Sequence, residues 1–156
     1  MRIKAAALAA LAVAALGAGG ALAQSVDAAD PEGVLAAVRA FGHKARLETD
    51  PDGLPVIRAR MDDINYAIQF YGCEGTANCR QLQLAASFDL EPGLTPEFVN
   101  QWNEDWAIGR LSVDQAGDPI FTYFLVTDGG LSPANFRAVL EIWSAALGGV
   151  VGDIGY

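Results

Sequence analysis

Residues 56–88, with the sequence VIRARMDDINYAIQFYGCEGTANCRQLQLAASF, decide the fold because apolar and polar side chains alternate along them. A period of two is typical of strands that bury one face and expose the other. The apolar positions are Ile57, Ala59, Met61, Ile64, Tyr66, Ile68, Phe70, Leu82, Leu84, Ala86 and Phe88. A further strand around Leu47 precedes residues 50–53, where Pro51 and Gly53 suit a type I turn. Together these runs predict a four-stranded antiparallel meander.

Three helices are predicted around the strands, and each begins with the same signal. A side-chain oxygen that can cap a free backbone N–H precedes a proline, which has no N–H of its own to satisfy. The three pairs are Asp30-Pro31, Thr95-Pro96 and Ser132-Pro133. From the spacing of apolar residues, the helices are expected to span residues 31–41, 96–107 and 133–147. Gly148 and Gly149 are expected to end the third helix.

The order of the predicted elements indicates the fold class. Two more strands, over residues 110–114 and 120–127, follow the second helix. The order is therefore αββββαββα, and the short turns between strands favour antiparallel pairing. Three helices with apolar stripes can cover the apolar face of such a sheet. We therefore expect an α+β domain with an antiparallel sheet and three helices packed on one face.

Residues 1–23 have the features of a secretory signal peptide. Arg2 and Lys4 provide the positive region, residues 5–16 are an unbroken apolar run, and Ala21-Leu22-Ala23 is a cleavage site of the A-x-A type. An uncleaved anchor is the alternative, but the apolar run is shorter than the about 20 residues that a membrane span needs. We expect cleavage after Ala23 and a periplasmic or secreted protein with no stable membrane anchor.

The rest of the chain divides into three parts. Residues 24–29 are expected to form a short flexible leader, residues 30–147 the α+β domain, and residues 148–156 an irregular glycine-rich tail. The whole chain has a formal net charge of −9, and removal of residues 1–23 leaves eight basic and nineteen acidic side chains. A protein this acidic repels phosphate backbones, so nucleic acid is not an expected partner.

Cys73 and Cys79 are the only cysteines, and they flank a loop between the third and fourth strands. In an oxidising compartment, a pair placed across a hairpin loop indicates a structural disulfide. A redox-active pair normally has two residues between its cysteines, whereas five separate these two. A metal site would need more ligands, and His43 is the only histidine. We therefore expect a disulfide and no metal.

No motif for a catalytic nucleophile, a metalloprotease or a nucleotide-binding loop occurs in the sequence. His43 follows the first helix and is expected to be an exposed side chain rather than a catalytic base. The aspartates lie mostly in turns, without the spacing of a calcium loop. We predict no catalytic residue and no cofactor.

Basic side chains stand out on the polar face of the predicted sheet. Arg58 and Arg60 share that face of their strand, and Arg46 is placed on a neighbouring strand. Such a strip could receive an acidic partner segment, although an ordinary solvated face is the simpler interpretation. Trp102, Trp106 and Trp143 could anchor an interface, but their helical spacing is more typical of a core.

Six residues in the second half of the chain form one pattern: Asn100, Trp102, Asn103, Arg110, Gly129 and Gly130. They lie in N-x-W-N of the second helix, in the hairpin that follows and in the glycine pair before the last amphipathic helix. Together these features resemble the YbjN domain family. The resemblance covers roughly residues 30–147.

This resemblance implies a fold like that of type III secretion chaperones and no known catalytic site. Names such as "sensory transduction regulator" are associated with the family. The motif is expected to be mainly structural: Trp102 packs the second helix on the sheet, Asn103 bonds the backbone near the Arg110 strand, and Gly129-Gly130 reverses the chain. The signal peptide and the cysteine pair set this sequence apart from cytoplasmic members.

The function expected from the sequence is a non-enzymatic periplasmic protein-binding or chaperone-like module, linked to stress or envelope regulation. Its partner would be an unidentified protein or a second copy of the chain. The alternative is a small-molecule binding protein with a pocket between the second helix and the sheet, lined by Trp102, Trp106 and Tyr123. Pocket volume separates the two, because ligand sites usually enclose about 300 Å³ or more. A hydrolase with an unrecognised site is a third hypothesis.

Overall fold

Six strands form one antiparallel sheet in residues 25–156, the part of the chain that this computed structural model describes. They are β1 (Lys44–Thr49), β2 (Pro55–Met61), β3 (Ile64–Tyr71), β4 (Gln81–Ser87), β5 (Arg110–Val113) and β6 (Pro119–Val126). Their order across the sheet is β1-β2-β3-β4-β6-β5, and every neighbouring pair is antiparallel. The predicted α+β class and the order αββββαββα are confirmed.

The three helices begin where the cap-proline pairs predict. They are α1 (Pro31–Phe41), α2 (Pro96–Asp105) and α3 (Pro133–Ile154). The side chains of Asp30, Thr95 and Ser132 each accept a hydrogen bond from the backbone N–H three residues later. The second helix ends two residues earlier than predicted, because Trp106 adopts an extended backbone (φ −118°, ψ 122°) that leads the chain toward β5.

The register gives the sheet two unlike faces. Residues paired across an antiparallel ladder project to the same face. Leu47, Ile57, Ile68 and Leu84 are consecutive partners across β1 to β4, and they point toward the helices. Buried side chains of all three helices join the same core. In the described part of the chain all three helices therefore cover this inner face, as predicted, and none of them lies on the opposite outer face.

A series of aromatic rings connects the helices to the inner face of the sheet. The Phe121 ring on β6 stacks on Trp143 of α3 with the centroids 5.2 Å apart, and it meets Trp102 of α2 edge-on at 5.6 Å. Trp143 also lies 5.5 Å from Tyr66 on β3. Trp102 and Trp143 are buried, so these two tryptophans belong to the core.

The predicted irregular tail at residues 148–156 is wrong, because α3 continues to Ile154. A glycine in a helix interior costs roughly 0.5–1 kcal/mol relative to alanine, which is why the pair at Gly148 suggested a helix end. Val150 and Ile154 continue the apolar spacing and are buried, and burial of such side chains contributes about 1.5–3 kcal/mol each. Packing therefore outweighs the glycine cost, and the helix ends at Gly155 with φ 72°.

The predicted flexible leader at residues 24–29 is also wrong for the part that the structure describes. Val26 and Leu131 exchange two backbone hydrogen bonds of 2.8 Å. The Ala28 N–H donates to the buried Thr127 hydroxyl at 2.9 Å, and this hydroxyl in turn donates to the Arg80 carbonyl. Val26 and Ala28 are buried, so this segment is an ordered strap beside the end of β6.

The predicted signal peptide at residues 1–23 lies outside the described residues. Across residues 25–156, none of the helices combines the length and the apolar character that crossing a membrane requires.

Candidate functional site

The outer face of the sheet carries an open groove of about 760 Å³ over β1 to β4. Its floor contains Ala67 and Ala85, which are partners in the β3–β4 ladder. Both side chains are short, and longer polar side chains stand on either side of them. The lining includes Lys44, Arg46, Arg58, Arg60, Asn65 and Gln69.

Four cations lie at one end of the groove, and we call them the basic strip: Lys44, Arg46, Arg58 and Arg60. Arg46 is the cross-strand partner of Arg58, and Lys44 is the partner of Arg60. The predicted placement of Arg46 beside Arg58 is confirmed. Sequence reasoning missed Lys44, although its position two residues before Arg46 places it on the same face. The strip holds four of the chain's ten Lys and Arg residues.

Two carboxylates only partly neutralise the basic strip. Glu48 contacts both Arg46 and Arg58, and Arg60 pairs with Asp63. The hydrogen bond from Arg46 is the main reason that the pKa of Glu48 is lowered from its ordinary value. Within residues 25–156, Lys44 has no carboxylate within 4.0 Å. The strip therefore keeps an excess of positive charge in an acidic protein.

The diagonally opposite corner of the outer face is apolar. Tyr71, Phe124 and Val126 are 42%, 53% and 58% exposed, respectively. The rings of Tyr71 and Phe124 lie 6.5 Å apart, and the Tyr71 hydroxyl contacts the side-chain oxygens of Gln69 and Gln83 at 3.2 Å. One open surface thus offers cations, amides and exposed apolar rings together, a mixture that suits binding of a peptide segment.

The pocket predicted beside the second helix lies elsewhere and is small. A groove of about 230 Å³ runs between α2 and α3, not between α2 and the sheet. Trp102 and Trp106 line it together with Ile142 of α3, but Tyr123 does not. Trp106 is 49% exposed there, so it does not join the core as its spacing suggested. The volume is below the about 300 Å³ that is usual for a ligand site.

His43 is half-buried, so the prediction of an exposed side chain is wrong. Its Nδ1 lies 2.6 Å from the Tyr66 hydroxyl and its Nε2 3.4 Å from the Ser144 hydroxyl. Burial lowers the pKa of His43, and the nearby Asp62 carboxylate partly opposes this. Ser144 donates its proton to the Leu140 carbonyl at 2.7 Å. The serine proton points away from the imidazole, the reverse of what an activated nucleophile needs.

The two cysteines form the predicted disulfide, with their Cα atoms 3.8 Å apart. The bond closes the loop between β3 and β4, where Glu74 and Ala77 form an isolated bridge. Among residues 25–156, no three His, Cys, Asp or Glu side chains form a group that could hold a metal ion.

A family model with the description "Putative bacterial sensory transduction regulator", named YbjN, matches residues 30–150. The chain belongs to the YbjN family. The match extends from the cap of α1 into the last part of α3, and it agrees with the resemblance found in the sequence. No curated protein matches the chain, and no solved structure does.

The YbjN motif residues lie mainly at junctions of the fold. Trp102 packs on the sheet through Phe121 and donates its indole N–H to Asp153 at 2.9 Å. Asn103 binds the backbone at the start of β5, as expected. Asn100 is exposed on α2, and within residues 25–156 its side chain makes no hydrogen bond. The motif therefore describes how α2 attaches to the sheet.

The remaining motif residues mark a turn and a surface. Gly129 and Gly130 have φ values of 84° and 81°, which permit the reversal between β6 and α3. A Cβ atom on Gly130 would lie 2.6 Å from the Cβ of Ser25, so the second glycine also makes room for the strap. Arg110 is exposed on the outer face at the far edge of the sheet, opposite the basic strip.

Proposed function

We propose that this YbjN protein is a non-enzymatic, chaperone-like module of the periplasm that binds a protein partner on the outer face of its sheet. One observation carries the proposal: within residues 25–156 all three helices cover the inner face, while the outer face, on which none of them lies, concentrates the basic strip of an otherwise acidic chain. The family's description as a sensory transduction regulator agrees with a role exerted by binding. The periplasmic location rests on the signal-peptide pattern of residues 1–23.

The open shape of the outer groove favours a protein over a small molecule. The outer groove of about 760 Å³ is open and extends over four strands, whereas the apolar groove between the helices encloses about 230 Å³. Small ligands are usually held in concave sites that bury most of their surface. A wide, open surface lined by polar and charged side chains is better suited to a peptide segment.

Site-specific photo-crosslinking in the native envelope tests this proposal. A photoreactive residue replaces Gln83 on the outer face in one variant and the exposed Asn135 of α3 in the control. We expect a protein adduct from position 83 and none from position 135. The double substitution Arg58→Glu/Arg60→Glu should remove the adduct. Equal adducts from both positions, or a metabolite that copurifies with a protein giving no adduct, would argue against the proposal.

A further inference from the structure

One row of paired residues crosses the entire outer face of the sheet. From edge to edge it consists of Arg46, Arg58, Ala67, Ala85, Thr122 and Arg110. Two arginines stand at one edge and one arginine at the other, with two alanines and a threonine between them. The row is therefore a trough with a floor of short side chains and positive charge at both ends.

The cations of this row are available to a ligand. The side chains of Arg46 and Arg58 are 72% and 53% exposed although they share Glu48. Arg110 is exposed, and within residues 25–156 no carboxylate lies within 4.0 Å of it. With Lys44 and Arg60 beside the first end, the outer face holds five of the ten basic residues of a chain with net charge −9. Complementary charge on the partner is consequently negative at both ends.

The distance between the two ends limits the length of the partner segment. Four strand-to-strand steps separate Arg58 on β2 from Arg110 on β5. At about 4.8 Å per step, the span is roughly 19 Å. A helix rises about 1.5 Å per residue, so about 13 residues cover this distance.

Backbone hydrogen bonding decides between an extended and a helical partner. The ladders pair the strand backbones of β2, β3, β4 and β6 on both sides, so a segment lying across them finds no free backbone partner. An extended segment there would leave its own N–H and C=O groups without protein partners, whereas a helix satisfies them internally. The short floor at Ala67 and Ala85 also gives space to the apolar side chains of a helix.

We propose that the partner presents an acidic amphipathic helix, which lies across the strands along the row from Arg58 to Arg110. This inference rests on the proposed function and adds the chemistry and direction of the bound segment. The apolar stripe of the helix contacts Ala67 and Ala85, and glutamate or aspartate side chains near its two ends pair with the arginines.

Binding of a defined probe tests the inference. The probe is a fluorescein-labelled synthetic helix of about 18 residues with a leucine and alanine stripe flanked by glutamates, and the control peptide carries lysines instead. We expect the glutamate peptide to bind at least about tenfold more tightly than the lysine peptide, and more weakly as salt is raised.

Three variants test the placement of the helix. Arg58→Glu and Arg110→Glu should each weaken binding of the glutamate peptide by about tenfold. Ala85→Trp should weaken it without any change in charge, because the large ring fills the trough. Arg137→Glu makes the same charge change on α3, away from this face, and should leave binding unchanged. Circular dichroism and urea unfolding verify that each variant is folded.

Each contrary result has a distinct meaning. Unchanged binding by Arg110→Glu would overturn the placement across the strands. Equal binding of the two peptides, or binding of neither, would overturn the acidic helix, while crosslinking at position 83 would still decide whether the outer face binds a protein. A single-stranded oligonucleotide or phosphatidylglycerol vesicles can be added in competition with the glutamate peptide. If either binds more tightly than the peptide, the arginine row binds a different class of anion and the acidic-helix proposal fails.

Discussion

Asn103 and Leu111 are joined by two hydrogen bonds that run in opposite directions. The Asn103 Nδ2 donates to the Leu111 carbonyl at 2.9 Å, and the Leu111 N–H donates to the Asn103 Oδ1 at 3.0 Å. The same Nδ2 also donates to the Val99 carbonyl within α2 at 2.9 Å. The side-chain amide thus pairs with both backbone groups of Leu111, as a neighbouring strand would, and it holds α2 beside the edge strand β5.

Replacement of Asn103 by alanine should lower the free energy of unfolding by about 2–3 kcal/mol, because partly buried backbone groups lose their partners. Urea unfolding at neutral pH measures the change. Asn100→Ala is the matched control, since its side chain is exposed on the same helix. The control should change stability by no more than about 0.5 kcal/mol. Equal losses in the two variants would show that the bonds to Leu111 contribute nothing specific.

Alanine at Gly148 and at Gly152 should stabilise the protein by about 0.5–1 kcal/mol each. Both glycines lie inside α3, and an added Cβ would have no neighbouring atom within 4 Å. Thermal unfolding of the single and double variants measures the effect. An irregular tail would gain no helix propensity, so unchanged stability would contradict the helix to Ile154.

The end of α3 illustrates what sequence could and could not determine about the fold. The caps at Asp30, Thr95 and Ser132 are local signals, and they predicted all three helix starts. The continuation past Gly148 depends on burial of Val150 against distant parts of the chain. The low helix propensity of glycine favours an end at Gly148, so the continuation of α3 could be predicted only with knowledge of the tertiary contacts.

The outer surface was also predictable only in part, because local patterns reveal the face of a residue but not its neighbours on other strands. Alternation along each strand assigned Arg58 and Arg60 to one face correctly. The trough requires the register, because Ala67, Ala85 and Arg110 meet in one row only after four strands have paired. Strand pairing beyond a hairpin brings together residues distant in sequence, and no local pattern in a single sequence encodes it.

Gly130→Ala should destabilise the protein more than Gly129→Ala. Both residues have positive φ, so both variants incur backbone strain of about 1–2 kcal/mol. Only at Gly130 does the new methyl group also collide with Ser25. Urea unfolding of the two single variants measures the difference.

A second substitution identifies the source of this difference. Ser25→Gly removes both atoms that the methyl group of Gly130→Ala would meet, the Cβ and the Oγ of Ser25. In the Ser25→Gly background, Gly130→Ala should therefore lower the free energy of unfolding only by as much as Gly129→Ala does. A double-mutant cycle of Gly130→Ala and Ser25→Gly measures this. Purely additive changes in stability would mean that Ser25 does not clash with the methyl group of Gly130→Ala.

Reduction of the Cys73–Cys79 bond should lower the free energy of unfolding by about 2 kcal/mol, because the bond closes only a short loop in the unfolded chain. Urea unfolding with and without a reductant measures this. A Cys73→Ser/Cys79→Ser variant, which should not respond to the reductant, is the control. Loss of all folded structure on reduction would show that the core of residues 25–156 depends on the bond.

The single histidine makes a prediction about pH straightforward to check. Burial lowers the pKa of His43 below its ordinary value of 6.5, so the folded state favours the neutral ring. The ring lies between two hydroxyl groups, with Nδ1 2.6 Å from that of Tyr66 and Nε2 3.4 Å from that of Ser144. Between the folded pKa and 6.5 the unfolded chain binds more protons, so stability rises with pH in that interval.

The contribution of His43 is therefore complete above pH 6.5 and is lost as the pH falls through the folded pKa. Proton NMR can follow the ring directly, because the chain has one histidine, and its midpoint should lie below 6.5. Carboxylates also titrate in acid, so the urea midpoint of wild type is compared with that of His43→Gln, whose side chain is neutral throughout. Wild type should lose more stability than the variant on acidification. A histidine midpoint at or above 6.5, or parallel pH profiles for the two proteins, would mean that burial does not control this ring.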